Sequence, residues 1–249
     1  MIKTFLASWI ALISTAGLAH AGSWGKCPGG TKAIVDRADR IMVAGSSAGI
    51  MTMRVVKPHN HATMKMKFWS SGREKMLVRI AAPSRLRGMA TLKVGTRVWY
   101  YMPRTDRIVR VGSSMLSDSW MGSHFTNDDL IKETEMEKDY TCQARRDLAA
   151  SYRITLKPKP NAPVVWGKVI MVIKRKNGLP EKVEYYDEHG RLKRIMTFSQ
   201  ARVMDGRLVP TRFVLRPAGK SEYTEISYQK IRFRVRIPAR YFSLRGLTR

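Results

Sequence analysis

Residues 51–80 read MTMRVVKPHNHATMKMKFWSSGREKMLVRI. Apolar side chains take alternate positions in three runs, which are separated by turn-forming residues at 58–61 and at Ser71-Gly72. An alternation with a period of two predicts β-strands, and short polar turns between them predict hairpins. The three strands should therefore form an antiparallel unit with one apolar face and one largely basic face. The apolar face would carry Met51, Met53, Val55, Met64, Met66, Phe68, Met76, Val78 and Ile80.

The same alternation continues on the C-terminal side of this stretch. It predicts further strands at Thr91–Val94, Arg97–Met102, Ile108–Val111, Tyr152–Leu156, Val169–Lys174, Lys182–Tyr186, Leu192–Ala201, Thr211–Leu215, Glu222–Tyr228 and Ile231–Val235. Asn177-Gly178 and Asp205-Gly206 are strong hairpin turns. So many short strands in succession favour one continuous, strongly curved antiparallel sheet over two separate domains.

Two segments lack the alternation. Thr31–Met42 has apolar residues at helical spacing, with Thr31 able to cap its start and Gly45 able to end it. Ser113–Met136 carries Trp120 and Phe125 and should end in a short helix capped by Thr126, with Asp129 three residues on. Because a sheet must bury its apolar face, these segments are expected to cover the concave side, and what they leave uncovered would be a cavity.

The methionines of residues 51–80 leave two interpretations open. In the first they pack in the core, which is the usual role of any single methionine. A whole wall of them also suits a surface that adapts to variable apolar ligands. In the second interpretation the cavity is lined by Met51, Met53, Met64, Met66, Phe68, Met76 and Val78, with Trp99, Tyr101, Trp120 and Phe125 at its mouth.

The N-terminus has the pattern of a secretory signal peptide. Met1-Ile2-Lys3 is positively charged, residues 5–18 are mostly apolar, and Ala19-His20-Ala21 fits signal peptidase. We expect cleavage after Ala21 and one mature domain over residues 22–249. An uncleaved anchor is the alternative, although the apolar run is shorter than the roughly 20 residues that span a bilayer. The mature protein should be soluble.

The composition is strongly basic, with 46 Lys and Arg against 19 Asp and Glu and a formal net charge of +27. In a cytosolic protein this balance would indicate nucleic acid. Export makes a nucleic-acid partner unexpected, because the polyanions outside are lipid headgroups and acidic polymers. An anionic membrane surface is therefore the expected charged partner.

Two cysteines, Cys27 and Cys142, remain after the signal peptide. An even count in an oxidising compartment indicates a disulfide, with two unpaired thiols as the alternative.

Two short motifs suggest chemistry but lack its context. Gly45-Ser46-Ser47-Ala48-Gly49 matches the nucleophile pattern G-x-S-x-G, which needs a strand before it and a helix after it. Here the predicted order is reversed. His59 and His61 could bind a metal, but they lie in a turn where polar residues are ordinary. We therefore expect no enzyme, no metal and no cofactor.

Several stretches resemble the outer-membrane lipoprotein-sorting proteins of Gram-negative bacteria, in the LolA-like group. The resemblance spans nearly the whole mature chain, and its most specific part is residues 121–130, MGSHFTNDDL. The family usually has Asp where this chain has His124. The other stretches are Ala38-Asp39-Arg40, Ala82-Pro83 with Gly88, Val98–Pro103, Arg107–Arg110, Glu184–Asp187 with Gly190 and Lys193, and Pro210-Thr211.

The resemblance implies a mainly β fold, an incomplete and strongly curved antiparallel β-barrel closed by helices over an apolar cavity. It implies a periplasmic carrier of lipid or of lipoprotein acyl chains toward the outer membrane, working beside an RND-type exporter. The alternative is a basic periplasmic adaptor that docks on such an exporter or on an anionic membrane surface without internal cargo. The family has no established catalytic residue.

Overall fold

The computed structural model describes residues 24–41, 45–131 and 136–249. The predicted signal peptide and Met42, the predicted end of the first helix, lie outside these ranges. In the described ranges no helix is both long and apolar enough to cross a membrane.

Thirteen strands form one antiparallel sheet, in the order β6-β5-β4-β3-β2-β1-β13-β12-β11-β10-β9-β8-β7. Two meanders, β1 to β6 and β7 to β13, are joined where β1 pairs with β13. The sheet is curved but not closed, because β6 and β7 remain as its two edges. The strands are β1 (Ser46–Lys57), β2 (Asn60–Ser71), β3 (Lys75–Ala82), β4 (Ala90–Val94), β5 (Arg97–Met102), β6 (Arg107–Arg110), β7 (Tyr140–Asp147), β8 (Ser151–Pro158), β9 (Lys168–Lys174), β10 (Pro180–Tyr186), β11 (Leu192–Met204), β12 (Arg207–Pro217) and β13 (Tyr223–Phe233).

The helices are α1 (Thr31–Asp39), α2 (Asn127–Ile131), α3 (Met136–Asp139) and α4 (Leu244–Leu247) among the described residues. Strands β6 and β7 are consecutive in the chain but form opposite edges of the sheet. The chain between them, residues 111–139 without the undescribed 132–135, must therefore pass from one edge to the other, and we call it the crossover segment. The mainly β fold with a curved, incomplete barrel is confirmed.

The register of β1, β2 and β3 confirms the alternation in residues 51–80. Met51 stands opposite Met66 and Met53 opposite Met64, while Phe68 stands opposite Val78. These side chains are buried in one cluster with Trp120 of the crossover segment. Burying a methionine side chain fully is worth about 1.5–3 kcal/mol, so this face is a major source of stability.

A second cluster lies between α1, α3 and strands β7 to β10. It contains Val35, Ala38, Met136, Tyr140, Cys142, Ile154, Leu156, Val169, Met171, Ile173 and Val183. Cys27 and Cys142 form a disulfide with their Cα atoms 5.8 Å apart. Beside it, Trp24 Nε1 donates to Tyr140 O at 2.9 Å. The chain before α1 is thus fastened to β7.

The outer face of the sheet differs from the prediction near β3, β4 and β5. The sequence analysis expected a largely basic face, but Leu77 and Leu92 are buried there against Leu247 of α4. The C-terminal segment, residues 238–249, covers these strands because it brings its own apolar side chains to them. Trp69, Trp99 and Tyr101 pack in the same outer cluster.

Three local predictions are wrong. Helix α1 ends at Asp39, and Gly30 in the left-handed conformation, not Thr31, occupies its N-cap. Strand β7 was missed because its alternation is broken by a bulge at Cys142. The two strands predicted at 222–228 and 231–235 form one strand. A bulge in β13 opposite Ile50/Met51 accommodates the break in alternation between them.

Candidate ligand cavity

A cavity lies on the concave side of the sheet, between the two inner clusters and under α1 and the crossover segment. It consists of three adjoining chambers of about 330, 310 and 190 Å³. Tyr228 of β13 lines all three chambers, and Met51 and Met76 each line two of them. We call these chambers together the interior cavity.

Methionine and aromatic side chains form a large part of the cavity wall. The sheet contributes Met51, Phe68, Met76, Val78, Met171, Tyr185, Met196, Phe198, Phe213, Ile226 and Tyr228. Helix α1 and the crossover segment together are called the cover, and the cover contributes Trp120, Phe125, Leu130 and Met136. The flexible thioether side chains can adjust to ligands of different shape.

The aromatic rings on the floor form a continuous row across β2, β13, β12 and β11. Phe68 contacts Tyr228 edge to face at 5.4 Å between ring centroids, Tyr228 contacts Phe213 at 5.5 Å, and Phe213 contacts Phe198 at 5.2 Å. Edge-to-face pairs of this kind hold their rings in fixed orientations. The floor is therefore rigid where the methionine side walls are adaptable.

One ion pair stands inside the cavity wall. Arg194 of β11 donates to both carboxylate oxygens of Asp129 in α2, at 2.7 and 2.6 Å. The Arg194 guanidinium also lies over the rings of Trp166 and Tyr185, at 4.5 and 4.8 Å from their centroids. The pair places two opposite charges, joined by hydrogen bonds, in the wall of the largest chamber, which also carries Asp39, Arg73 and Asp128.

A second ion pair holds α1 in place. Arg73, in the turn between β2 and β3, donates to Asp39 Oδ2 at 2.8 Å, and the backbone N–H of Met136 donates to the same oxygen at 3.3 Å. Burial raises the pKa of Asp39 above its ordinary value, and it outweighs the opposing attraction of Arg73. Asp39 thereby links α1, α3 and the β2–β3 turn.

The crossover segment is ordered by its own polar contacts. Thr126 and Asp129 form a capping box, in which the Asp129 N–H donates to Thr126 Oγ1 at 3.2 Å and the Thr126 N–H donates to Asp129 Oδ2 at 2.9 Å. The predicted cap of the short helix is confirmed by these bonds. The Tyr100 hydroxyl donates to Asn127 Oδ1, and Trp120 Nε1 donates to Thr91 Oγ1 at 3.0 Å.

His124 lies within this segment, against β13. Its backbone N–H donates to Thr224 Oγ1 at 2.9 Å, and its Nδ1 lies 2.8 Å from the same oxygen. Burial lowers the pKa of His124, although Glu222, 3.8 Å from Nε2, opposes this. The imidazole is therefore uncharged at neutral pH.

Two cavity tyrosines are kept protonated by burial. It raises the pKa of Tyr185 to about 12 and that of Tyr228 to about 12. Their hydroxyl groups thus remain hydrogen-bond donors at any physiological pH.

The eleven residues that the sequence analysis proposed for the cavity fall into three groups. Six of them line the chambers: Met51, Phe68, Met76, Val78, Trp120 and Phe125. Met53, Met64 and Met66 pack in the same inner cluster beneath them. Trp99 and Tyr101 lie in the outer cluster with Leu247, so their placement at the mouth of this cavity is corrected.

The serine motif does not form a nucleophile elbow. Ser46 and Ser47 begin strand β1, where the Ser46 hydroxyl donates to Val235 O at 2.6 Å and Ser47 Oγ lies 2.7 Å from Ser70 Oγ. A Cβ at Gly49 would stand 2.1 Å from Lys230 O and 2.7 Å from the Phe68 ring. The glycine thus serves the close approach of β13 at the bulge.

No group of three or more His, Cys, Asp or Glu side chains within the described ranges could hold a metal ion. His59 lies in the turn between β1 and β2, and His61 is exposed on β2.

Arg73 and Arg194, which line the cavity, were not predicted from the sequence. Arg194, Met196 and Phe198 stand at every second position of β11 and therefore share one face of the strand. This alternation was the signal that could have placed Arg194 in the cavity. Arg73 had no such signal, because it lies in a turn.

The comparisons with known proteins support the fold. A family model described as "Uncharacterized protein" matches residues 72–249. Among curated proteins there is no match to the chain.

Three crystal structures are similar over nearly their full length. A DUF1329 family protein from Desulfovibrio piger is 20% identical, with a TM-score of 0.75 over 87% of this chain and 97% of that one. An outer membrane lipoprotein-sorting protein domain from Vibrio parahaemolyticus is 22% identical, with a TM-score of 0.71 over 88% and 95%. A LolA superfamily protein from Nitrosomonas europaea is 25% identical, with a TM-score of 0.68 over 85% and 96%. The resemblance to the LolA-like proteins is confirmed.

Proposed function

We propose that this chain is a periplasmic carrier. The chain belongs to the family of uncharacterized proteins whose model matches residues 72–249, and it has the LolA-like fold. Its ligand is a lipid or the acyl chains of a lipoprotein, held in the interior cavity. The observation that carries this proposal is the wall of methionine and aromatic side chains between the sheet and its cover.

The size and chemistry of the cavity suit an acyl chain. Its largest chamber, about 330 Å³, falls within the range of ~300–1,000 Å³ that is typical of small-molecule sites. Each methylene group that leaves water for such a wall contributes about 0.8 kcal/mol. The gain is non-directional, so a carrier built this way accepts chains of different length and shape.

The charged groups at the cavity support binding rather than acid–base chemistry. Of the three carboxylates that line it, Asp39 is paired with Arg73 and Asp129 is paired with Arg194. A carboxylate engaged by an arginine is a poor general base, because its lone pairs already accept hydrogen bonds. These pairs instead join the cover to the sheet.

In the proposed carrier the cover moves away from the sheet when cargo enters or leaves. Helix α1 is held by Asp39 and α2 by Asp129, so such a movement would break both ion pairs. The proposed carrier moves its cargo toward the outer membrane and receives it beside an RND-type exporter, as the LolA-like resemblance implies.

Native mass spectrometry of the protein purified from the periplasm, followed by denaturation and lipid analysis, tests the proposal. We expect a bound acyl-bearing ligand near one per chain. Met51→Trp should lower its occupancy several-fold, because the larger side chain projects into two chambers. Val203→Trp is the matched control, since Val203 is 70% exposed on β11 and an added ring there meets solvent.

A protein that is ligand-free, and stays so after incubation with phospholipid vesicles, would overturn the carrier proposal. It would favour the basic adaptor that docks without internal cargo.

A further inference from the structure

A separate pocket of about 510 Å³ lies on the outer face of the sheet, on the side opposite the interior cavity. It is formed between strands β2 and β3 and the C-terminal segment. We call it the outer pocket. Nothing in the proposed carrier function uses it.

The outer pocket is built on a fixed base. Arg79 Nη2 donates to the carbonyl oxygens of Gly246 and Leu247, at 3.0 and 3.2 Å, and Leu247 is fully buried against the sheet. Tyr241 packs on Trp69 with their ring centroids 5.3 Å apart. The C-terminal segment is therefore anchored to the sheet by both apolar and polar contacts.

All the charged side chains that line the pocket are cationic, namely those of Lys67, Arg79, Arg240, Arg245 and Arg249. Lys67 and Arg79 are neighbours across the β2–β3 register, and Arg240 and Arg245 approach from the C-terminal segment. No Asp or Glu side chain lines the pocket, and no ion pair to a described carboxylate engages Lys67, Arg240 or Arg245. Such a cluster of cations is complementary to an anion, and arginine pairs particularly well with phosphate.

The floor of the pocket is apolar. Trp69, Leu77 and Tyr241 form it, and Leu244, next to Arg245 in the chain, is 45% exposed. Tryptophan and tyrosine are the residues that favour the membrane interface, where one side of the ring is wet and the other apolar. A free phosphate would use the cations of this site but not its aromatic floor.

We infer that the outer pocket binds an anionic phospholipid at a membrane surface. The phosphate group lies among Arg240, Arg245 and Lys67, and the apolar part that adjoins it lies on Trp69 and Tyr241. Leu244 enters the interface between headgroups and acyl chains. The carrier thereby meets the membrane through the face opposite its cavity.

The experiment measures binding of the full mature chain to vesicles of phosphatidylglycerol and phosphatidylcholine in equal parts, and to vesicles of phosphatidylcholine alone. We expect binding to the first kind only. Each basic residue near an anionic surface is worth roughly fivefold in affinity, so Arg240→Ala/Arg245→Ala should weaken binding by at least about tenfold. Neither side chain has a hydrogen-bond or ion-pair partner among the described residues, so the double variant should fold, and an unchanged melting temperature checks this.

The matched control is Arg104→Ala/Arg202→Ala, which removes two exposed arginines that do not line the pocket. It should change binding by less than about twofold, because a defined site depends on its own residues. An equal loss in both double variants would overturn the inference, since diffuse positive charge would then suffice. Absence of binding to either kind of vesicle would also overturn it.

Inorganic phosphate at matched ionic strength distinguishes a lipid site from a site for the free ion. Tight phosphate binding that Arg240→Ala/Arg245→Ala abolishes, with vesicle binding unchanged, would contradict the inference. Met51→Trp should bind vesicles as the unaltered protein does, so the inference and the carrier proposal can fail independently.

Discussion

Arg194 of β11 and Asp129 of α2 form a two-point ion pair that joins the cover of the cavity to its wall, with distances of 2.7 and 2.6 Å. Asp129 also completes the capping box of α2 through Thr126. One carboxylate therefore both starts a helix and fixes that helix to the sheet.

Asp129→Asn should lower the free energy of unfolding by about 3–5 kcal/mol, because it leaves the Arg194 charge buried without a partner. Urea unfolding measures the change. Asp147→Asn is a matched control, since Asp147 also accepts two hydrogen bonds from one arginine, Arg145, but is 45% exposed. Its stability should stay close to that of the unaltered protein. Equal losses in the two variants would show that burial does not set the difference.

Met51 and Met53 lie on the same strand but differ in role, because only Met51 lines the cavity. Met53 is fully buried in the inner cluster, while Met51 also lines two chambers. Met53→Ala should cost about 2–5 kcal/mol of stability, because it opens a new void. Met51→Ala should cost less, since one side of that residue already faces empty space. Guanidinium unfolding of both variants checks the order, and an equal cost would contradict this view of the cavity.

The disulfide should contribute strongly to stability. It closes a loop with a sequence separation of 115 residues, for which the chain-entropy model gives about 4–5 kcal/mol. Cys27→Ser/Cys142→Ala should therefore lose about that much free energy of unfolding, and a reductant should destabilise the unaltered protein similarly. The double variant should be insensitive to the reductant. A reductant effect on the double variant would show that another process is being measured.

His124 should make the protein less stable in mild acid. Its pKa is lowered in the folded state by burial, so the unfolded chain takes up the proton more readily below a pH of about 6.5. The contribution is present above that pH and is lost as the pH falls toward the folded pKa. Glu222 attracts the proton, while Lys57 and Lys220 repel it.

His124→Asn keeps a group that can accept from Thr224 but cannot titrate. The unfolding free energy of this variant should fall less between pH 7.5 and pH 5, values that bracket the ordinary histidine pKa of about 6.5. Thermal unfolding across this range measures it. An unchanged pH dependence would assign the acid sensitivity to other groups.

Much of the fold could be predicted from the sequence. Apolar side chains recur at every second position along each strand of residues 51–80, so a period of two places Met51, Met66 and Val78 on one face without any knowledge of the partners. The capping box at Thr126 and Asp129 is equally local, because its donors and acceptors lie three residues apart. The edges of the sheet were harder, since β7 carries a bulge that breaks its pattern.

The amino-acid sequence by itself determined the alternating strands, the turns between them and the apolar face that has to be covered. Tertiary structure alone decided which set of β5 side chains faces the inner side of the sheet. Residues 98–102 of that strand are all apolar, so their pattern does not distinguish the two faces, and the packing turned Tyr100 inward and Trp99 and Tyr101 outward. It likewise brought Arg194 to Asp129, 65 residues away in the chain. Such contacts depend on how a curved sheet meets its crossover segment, and a periodic pattern holds no information about that distance.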